Sequence, residues 1–183
     1  MNGFRNVAPR NVSEVDGSNT RLKTFDAEEA NQWEVGTKTN LIQNKLSLTA
    51  SYYDIKVKNR VFTDPNNPNN TIQGGEVQSK GIEFSLIANP VKGLNIIAGY
   101  SYNDSEVIAD NPNSGYLGLR PESAGPQNLV NFWSSYTFPE GMLKGFGLGV
   151  GGNHASEYKT LHRSNIGTFT LPAYTILNAS LSY

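Results

Sequence analysis

Apolar residues recur at every second position over runs of about 10–15 residues, and this spacing limits the fold more than any other feature. In the stretch SKGIEFSLIANPVKGLNIIAGYSY, residues 79–102, Ile82, Phe84, Leu86 and Ala88 alternate with polar neighbours. After an Asn-Pro-x-x-Gly turn, Leu94, Ile96, Ala98, Tyr100 and Tyr102 do the same. A period of two is the period of a strand, so this is a hairpin with one apolar and one polar face. The pattern alone leaves open whether the apolar face meets a core or lipid.

The same reading gives about seven strands, over residues 30–41, 45–59, 79–88, 94–102, 128–138, 145–155 and 173–183. In the second, Leu46, Leu48, Ala50 and Tyr52 give way to Ile55 and Val57, a change of parity that predicts a bulge near Tyr53–Asp54. No segment has a helical period. Connections alternate in length: residues 42–44, 89–93 and 139–144 are short, whereas 1–29, 60–75, 104–127 and 156–172 are long and rich in Asn, Pro, Asp and Gly. In an up-and-down sheet all short turns then share one end and all long loops the other, the anatomy of an outer-membrane barrel. Such strands exceed the usual 5–6 residues of globular proteins. The apolar face carries no charge, and Tyr52, Tyr100, Tyr102 and Tyr136 near strand ends predict an aromatic girdle.

The fold expected is therefore all-β: a segment of an antiparallel up-and-down transmembrane β-barrel. A soluble or secreted β-sandwich serving as a binding or adhesion module is the alternative. Composition fits the barrel. Mean hydropathy is −0.44 and no apolar run approaches the roughly 20 residues of a membrane helix. A net charge of −1 gives no footprint for nucleic acid. The absence of cysteine excludes a disulfide framework and thiolate metal sites.

Longer pieces carry a family resemblance. The run EANQWEVGTKTNLIQNKLSLTASYY at residues 29–53 resembles the late-barrel portion of TonB-dependent siderophore receptors, with its "yEvGlK", short turn and "LsltaayF". The similarity continues through GGEVQSKGIEFSL, PVKGLNIIAGYSYNDS, RPESAGPQNLVNFWSSYTF, LKGFGLGVGGNHAS and LPAYTILNASLSY, in the family's order along nearly the whole chain. The resemblance implies a barrel of about 22 strands closed by a plug. The inner-membrane TonB complex pulls that plug to admit a ferric siderophore. Residues 1–183 are then expected to be part of the barrel, about its last third minus the end, with no plug domain and no signal peptide. Localisation in the bacterial outer membrane, contact with its lipid and an iron chelate as cargo follow, with no resident cofactor, no bound metal and no enzymatic activity.

On this reading Ile82, Phe84, Leu86, Leu94, Ile96, Ala98, Phe132, Tyr136, Leu148 and Val150 face lipid. Glu34, Lys38, Glu83, Asn95, Gly147, Gly149 and Gly151 face the lumen. The glycines from Gly147 to Gly152 also fit G-x-G-x-x-G, but strand alternation persists and no helix follows, so a dinucleotide site is rejected. Their expected role is to leave room for the plug. Glu34, Lys38 and Glu83 are expected to pair within the wall, or else with the plug. Loop residues Phe4, Arg5, Tyr116, Arg120, Tyr158 and Arg163 are candidates for ligand contact, because aromatic faces and guanidinium groups suit bulky anionic chelates. His154 and His162 lack zinc-site spacing and are expected to be solvated loop residues.

Overall fold

The structure, a computed structural model, describes residues 4–5, 11–16, 19–43, 45–64, 67–110, 114–164 and 167–183. Side chains are described for 24–43, 45–61, 71–110, 114–160, 164 and 167–183. The strands are β1 (Phe4–Arg5), β2 (Asn11–Asp16), β3 (Asn19–Thr24), β4 (Glu29–Leu41), β5 (Leu46–Asp64), β6 (Asn67–Ala88), β7 (Leu94–Ala109), β8 (Asn128–Thr137), β9 (Gly147–Ala155), β10 (Tyr158–Arg163), β11 (Gly167–Leu171) and β12 (Tyr174–Ser182). One antiparallel sheet runs β1-β4-β5-β6-β7-β8-β9-β12, with β2–β3 and β10–β11 as separate hairpins. Seven strands of this sheet are long; β1 adds two residues at its edge, against Ala30 and Glu29 of β4.

The sheet forms a single layer. Among the described residues only Phe25, Ala88, Val107 and Ala155 are buried apolar side chains. The accessible surface is 12246 Å², against roughly 8,700 Å² for a compact protein of this mass. A β-sandwich packs two sheets over a shared core, which this chain does not have.

Register explains the alternation. Val35, Tyr52, Ile82 and Tyr102 stand side by side on one face, as do Thr39, Leu48, Leu86, Ala98 and Phe132. All ten residues expected to face lipid share that face, and all seven expected in the lumen share the other. Aromatic groups mark both margins of the apolar face. Trp33 and Tyr52 meet at 5.2 Å near the long-loop end. Tyr136, Phe138 and Phe146 meet at 5.0 and 6.3 Å near the short turns. From Tyr102 to Leu94, the partner of Tyr136, β7 covers about 26 Å at ~3.3 Å per residue, close to the height of a barrel's apolar band. Charges return on this face just past the upper margin: Asp54, Lys80 and Asp104 lie in one row.

Three expectations change. The segment 60–75 is largely strand rather than loop, because β5 and β6 continue pairing to Asp64 and Asn67. No bulge occurs at Tyr53–Asp54: the ladder from Glu29–Lys58 to Leu41–Leu46 is unbroken. Ile55 and Val57 therefore lie on the polar face, Val57 in one row with Val77 and Val107, and the long loop after β7 bonds back to Val107. The register shifts higher, around Val57, Arg60 and Val61, where Asn59 has a φ of 57°. Asn tolerates that left-handed conformation better than most residues.

The glycine stripe also has a local cause. A Cβ on Gly149 would stand 2.5 Å from Cζ2 of Trp133, and one on Gly151 2.6 Å from its Cε3. The indole of the neighbouring strand already covers these glycines, so the space expected for a plug is occupied by the wall itself. The space at Gly147 is taken by the Ser182 hydroxyl in the same way. Elsewhere on this face Tyr53 lies over Gly81 and Asn131 over Gly99. Gly149→Val should displace the indole and destabilise by about 1–3 kcal/mol. The readouts are a lower denaturation midpoint and altered tryptophan fluorescence in the refolded receptor, and the effect should shrink when Trp133 is alanine.

Candidate functional site

The polar face is stitched together most densely at the long-loop end. Ser79 and Ser105 hydroxyls lie 2.5 Å apart across β6–β7. The Asn103 amide donates to Tyr53 Oη at 2.8 Å and to Ser79 Oγ at 3.0 Å, and its Oδ1 accepts from Ser105 Oγ at 2.7 Å. Ser105 is buried, so this satisfied network replaces water on the wall.

Over the network folds the connection between β7 and β8. Val107 exchanges backbone bonds of 2.9 Å with Gly118 and Leu119, which draws the loop back along β7. Asp110 accepts from the Ser114 hydroxyl at 2.5 Å, and that hydroxyl in turn accepts from the Tyr116 amide. A single 3-10 turn, Glu122–Ala124, packs against β10. Ser164 N–H reaches the Gly115 carbonyl at 2.8 Å, joining the two long connections.

Arg120 fastens this loop. Its Nη1 donates to the Asn103 carbonyl at 2.7 Å, its Nη2 to Asn103 Oδ1 at 2.9 Å, and its Nε to the Gly125 carbonyl at 3.2 Å. Partial burial lowers its pKa; nearby Asp104 opposes that shift, and the group stays charged at neutral pH. The expectation that Arg120 contacts ligand therefore changes: all three of its guanidinium nitrogens already donate to the protein.

Between the loop and the upper ends of β5–β7 lies a pocket of about 260 Å³. Val61, Val77, Val107 and Pro121 give it apolar walls; Arg60, Asp110, Tyr116 and Glu122 give it polar edges. Of the residues picked from sequence, Tyr116 lines this pocket. Phe4 and Arg5 lie in β1, and Arg163 pairs with Gly167 in β10; the side chains of these three fall outside the described residues. Tyr158 pairs with Leu171 in the β10–β11 hairpin.

Lower on the wall, Glu34 accepts from Gln32 Nε2 at 3.5 Å. Lys38 and Glu83 make no hydrogen bond or ion pair with any described residue, so the expected pairing within the wall is absent there. His154 lies at the end of β9, within the strand expected over 145–155, with Nδ1 2.9 Å from Thr175 Oγ1. Among the described residues no three His, Asp or Glu side chains converge to hold a metal ion.

Sequence reasoning missed Arg60 and the valines below it. Val57, Val77 and Val107 are apolar on the polar face, but with the parity change assigned too low on β5 Val57 reads as lipid-facing, and Val77 and Val107 fall outside the strands expected from sequence.

The family model described as "TonB dependent receptor-like, beta-barrel" matches residues 2–183. The chain belongs to that family. It is 27% identical over 159 residues to the ferrichrome outer membrane transporter/phage receptor of Escherichia coli, covering 87% of this chain and 20% of that protein. It is 31% identical over 167 residues to the metal-pseudopaline receptor CntO of Pseudomonas aeruginosa, covering 91% and 23%. The fold is similar to that of P. aeruginosa FpvA solved with a heterologous pyoverdine and iron, with a TM-score of 0.72 at 21% identity over 97% of this chain and 23% of that one. The chain thus spans about a fifth of the length of the curated relatives it matches. The family is one of outer-membrane receptors rather than enzymes, and the sheet is a piece of such a barrel, open at both edges.

Replacing Arg120 with methionine should release the loop from β7. Limited proteolysis of the folded receptor should then cut within residues 110–127, where the parent resists. Arg120→Lys should not restore protection, because an ammonium cannot reach three oxygens set around a planar fork.

Proposed function

We propose that the complete receptor takes up a ferric siderophore across the outer membrane in a TonB-dependent cycle, and that this chain forms part of its barrel wall. The observation that carries this reading is a charge-free apolar face bounded by two aromatic margins, on a sheet whose long loops gather at one end. In a barrel that face meets lipid, and the polar face lines the lumen. Ile82, Phe84 and Leu86 then lie against acyl chains, while Glu34, Lys38 and Glu83 face the plug. No described cation pairs with Glu83, which presents a carboxylate to whatever fills the barrel. The long-loop end, with its folded-in connection and pocket, faces outward and receives the chelate. Iron arrives as cargo inside its chelator, and the chemistry is binding and gated passage, with no bond made or broken in the ligand. Coupling to the TonB complex runs through the plug.

The test is growth and uptake. A strain whose only receptor is the full-length protein should grow on an iron chelate under iron limitation and accumulate labelled iron only when TonB is present. Uptake that continues without TonB would refute the reading. The facing has its own test: Phe84→Arg should destabilise the inserted barrel by about 2–4 kcal/mol. Ser85→Arg, one residue along but on the opposite face, should be tolerated. Equal effects would overturn the assignment of faces.

A further inference from the structure

We propose that Arg60 is a ligand-contacting residue, which takes an oxygen-bearing arm of the chelate into the pocket below the β7–β8 connection. This rests on the transport reading above and adds the site and chemistry of capture. Of the two arginines at this end with described side chains, Arg120 is engaged with its own loop. The Arg60 guanidinium makes no hydrogen bond or ion pair with any described residue, yet it lines the pocket.

Its placement is built into the fold. Asn59 takes a φ of 57°, and the register shifts on both sides of Arg60. Bulges of this kind re-aim a side chain that regular alternation would send elsewhere. The kink is fastened from both flanks: Asn59 Nδ2 donates to the Ala27 carbonyl at 3.2 Å, and the Asn59 carbonyl accepts from Gln73 Nε2 at 2.8 Å. Gln73 also holds Asp26, accepting from its N–H at 2.9 Å and donating to its carbonyl at 2.7 Å. Opposite Arg60 in the ladder stands Gly75, which has no side chain to compete for the space.

The pocket's chemistry selects the group. A guanidinium presents a planar fork of donors that matches paired oxygens, such as those of a carboxylate, hydroxamate or catecholate. Val61, Val77 and Val107 suit an apolar spacer beside those oxygens. Asp110 and Glu122 stand among the lining residues as acceptors for ligand hydroxyl or amide hydrogens, and both keep contacts within the protein. At about 260 Å³ the pocket is smaller than the ~300–1,000 Å³ that holds a whole ligand, so it takes one arm of a chelate.

The test uses the full-length receptor in detergent, with a ferric trihydroxamate and a ferric triscatecholate as probes, and measures Kd for the one the wild type binds. Arg60→Gln should weaken binding at least about tenfold at an unchanged melting midpoint. Arg60→Lys should recover part of the loss. Wild-type affinity in Arg60→Gln overturns the proposal and leaves the transport reading standing. A loss that comes with a lowered melting midpoint and is not relieved by Arg60→Lys overturns it too, because the arginine is then structural. Failure of the wild type to bind either probe, together with failure to grow on them, overturns both readings.

Discussion

Backbone hydrogen bonding is the constraint on which everything else in this sheet depends. In hydrocarbon there is no water to satisfy an N–H or C=O, so each must pair across a strand. The ladder between β4 and β5 accordingly runs thirteen residue pairs without a break, from Glu29–Lys58 to Leu41–Leu46. Among the described residues, the register of the main sheet shifts only above the aromatic margin, around Arg60, at Glu76–Val77 and at Thr63–Asp64. There the segment has left the apolar band, and a missing ladder bond can be replaced by a side chain, as Gln73 and Asn59 show. The pocket, the left-handed Asn59 and the folded-in loop all lie where backbone pairing can be interrupted.

The polar face follows a second rule. A wall that must stay smooth cannot carry large side chains on adjacent strands, and here large residues are set opposite glycines. Tyr53 faces Gly81, Asn131 faces Gly99, and Trp133 covers Gly149 and Gly151. The glycines are weak in isolation, since they surrender backbone freedom and pack nothing themselves. The side chain laid over each restores the contact. This accounts for a stripe that by composition alone resembles a cleared channel.

Much of the architecture was legible in the sequence because period-two alternation is local. The bases of all seven long strands, and the faces taken by residues such as Phe84 and Glu83, follow from counting every second residue between Trp33 and Leu181. What failed was non-local. Ile55 and Val57 fall on the polar face because pairing with β4 and β6 holds the register through Tyr53 and Asp54, and nothing in KVKNRVF places the shift beyond Val57. Arg120 read as a ligand group because an exposed loop arginine usually is free; its partners, Asn103 and Gly125, are named only by the fold. Arg60 was passed over for the converse reason. It sits in a segment read as loop, and only the bulge gives its direction. The β2–β3 and β10–β11 hairpins were hidden inside long connections because their alternation is too brief to stand out.

The hairpin of β5 and β6 rises from the row of Tyr52 and Ile82 to Asp64 and Asn67, roughly 35–40 Å at the usual rise per residue. An antiparallel hairpin lengthens or shortens in pairs of residues, and each pair leaves every side chain below it on its original face. Its height can therefore drift over evolutionary time without disturbing the wall it grows from. A change of length above Asp64 and Asn67 leaves the rungs of the apolar band where they are.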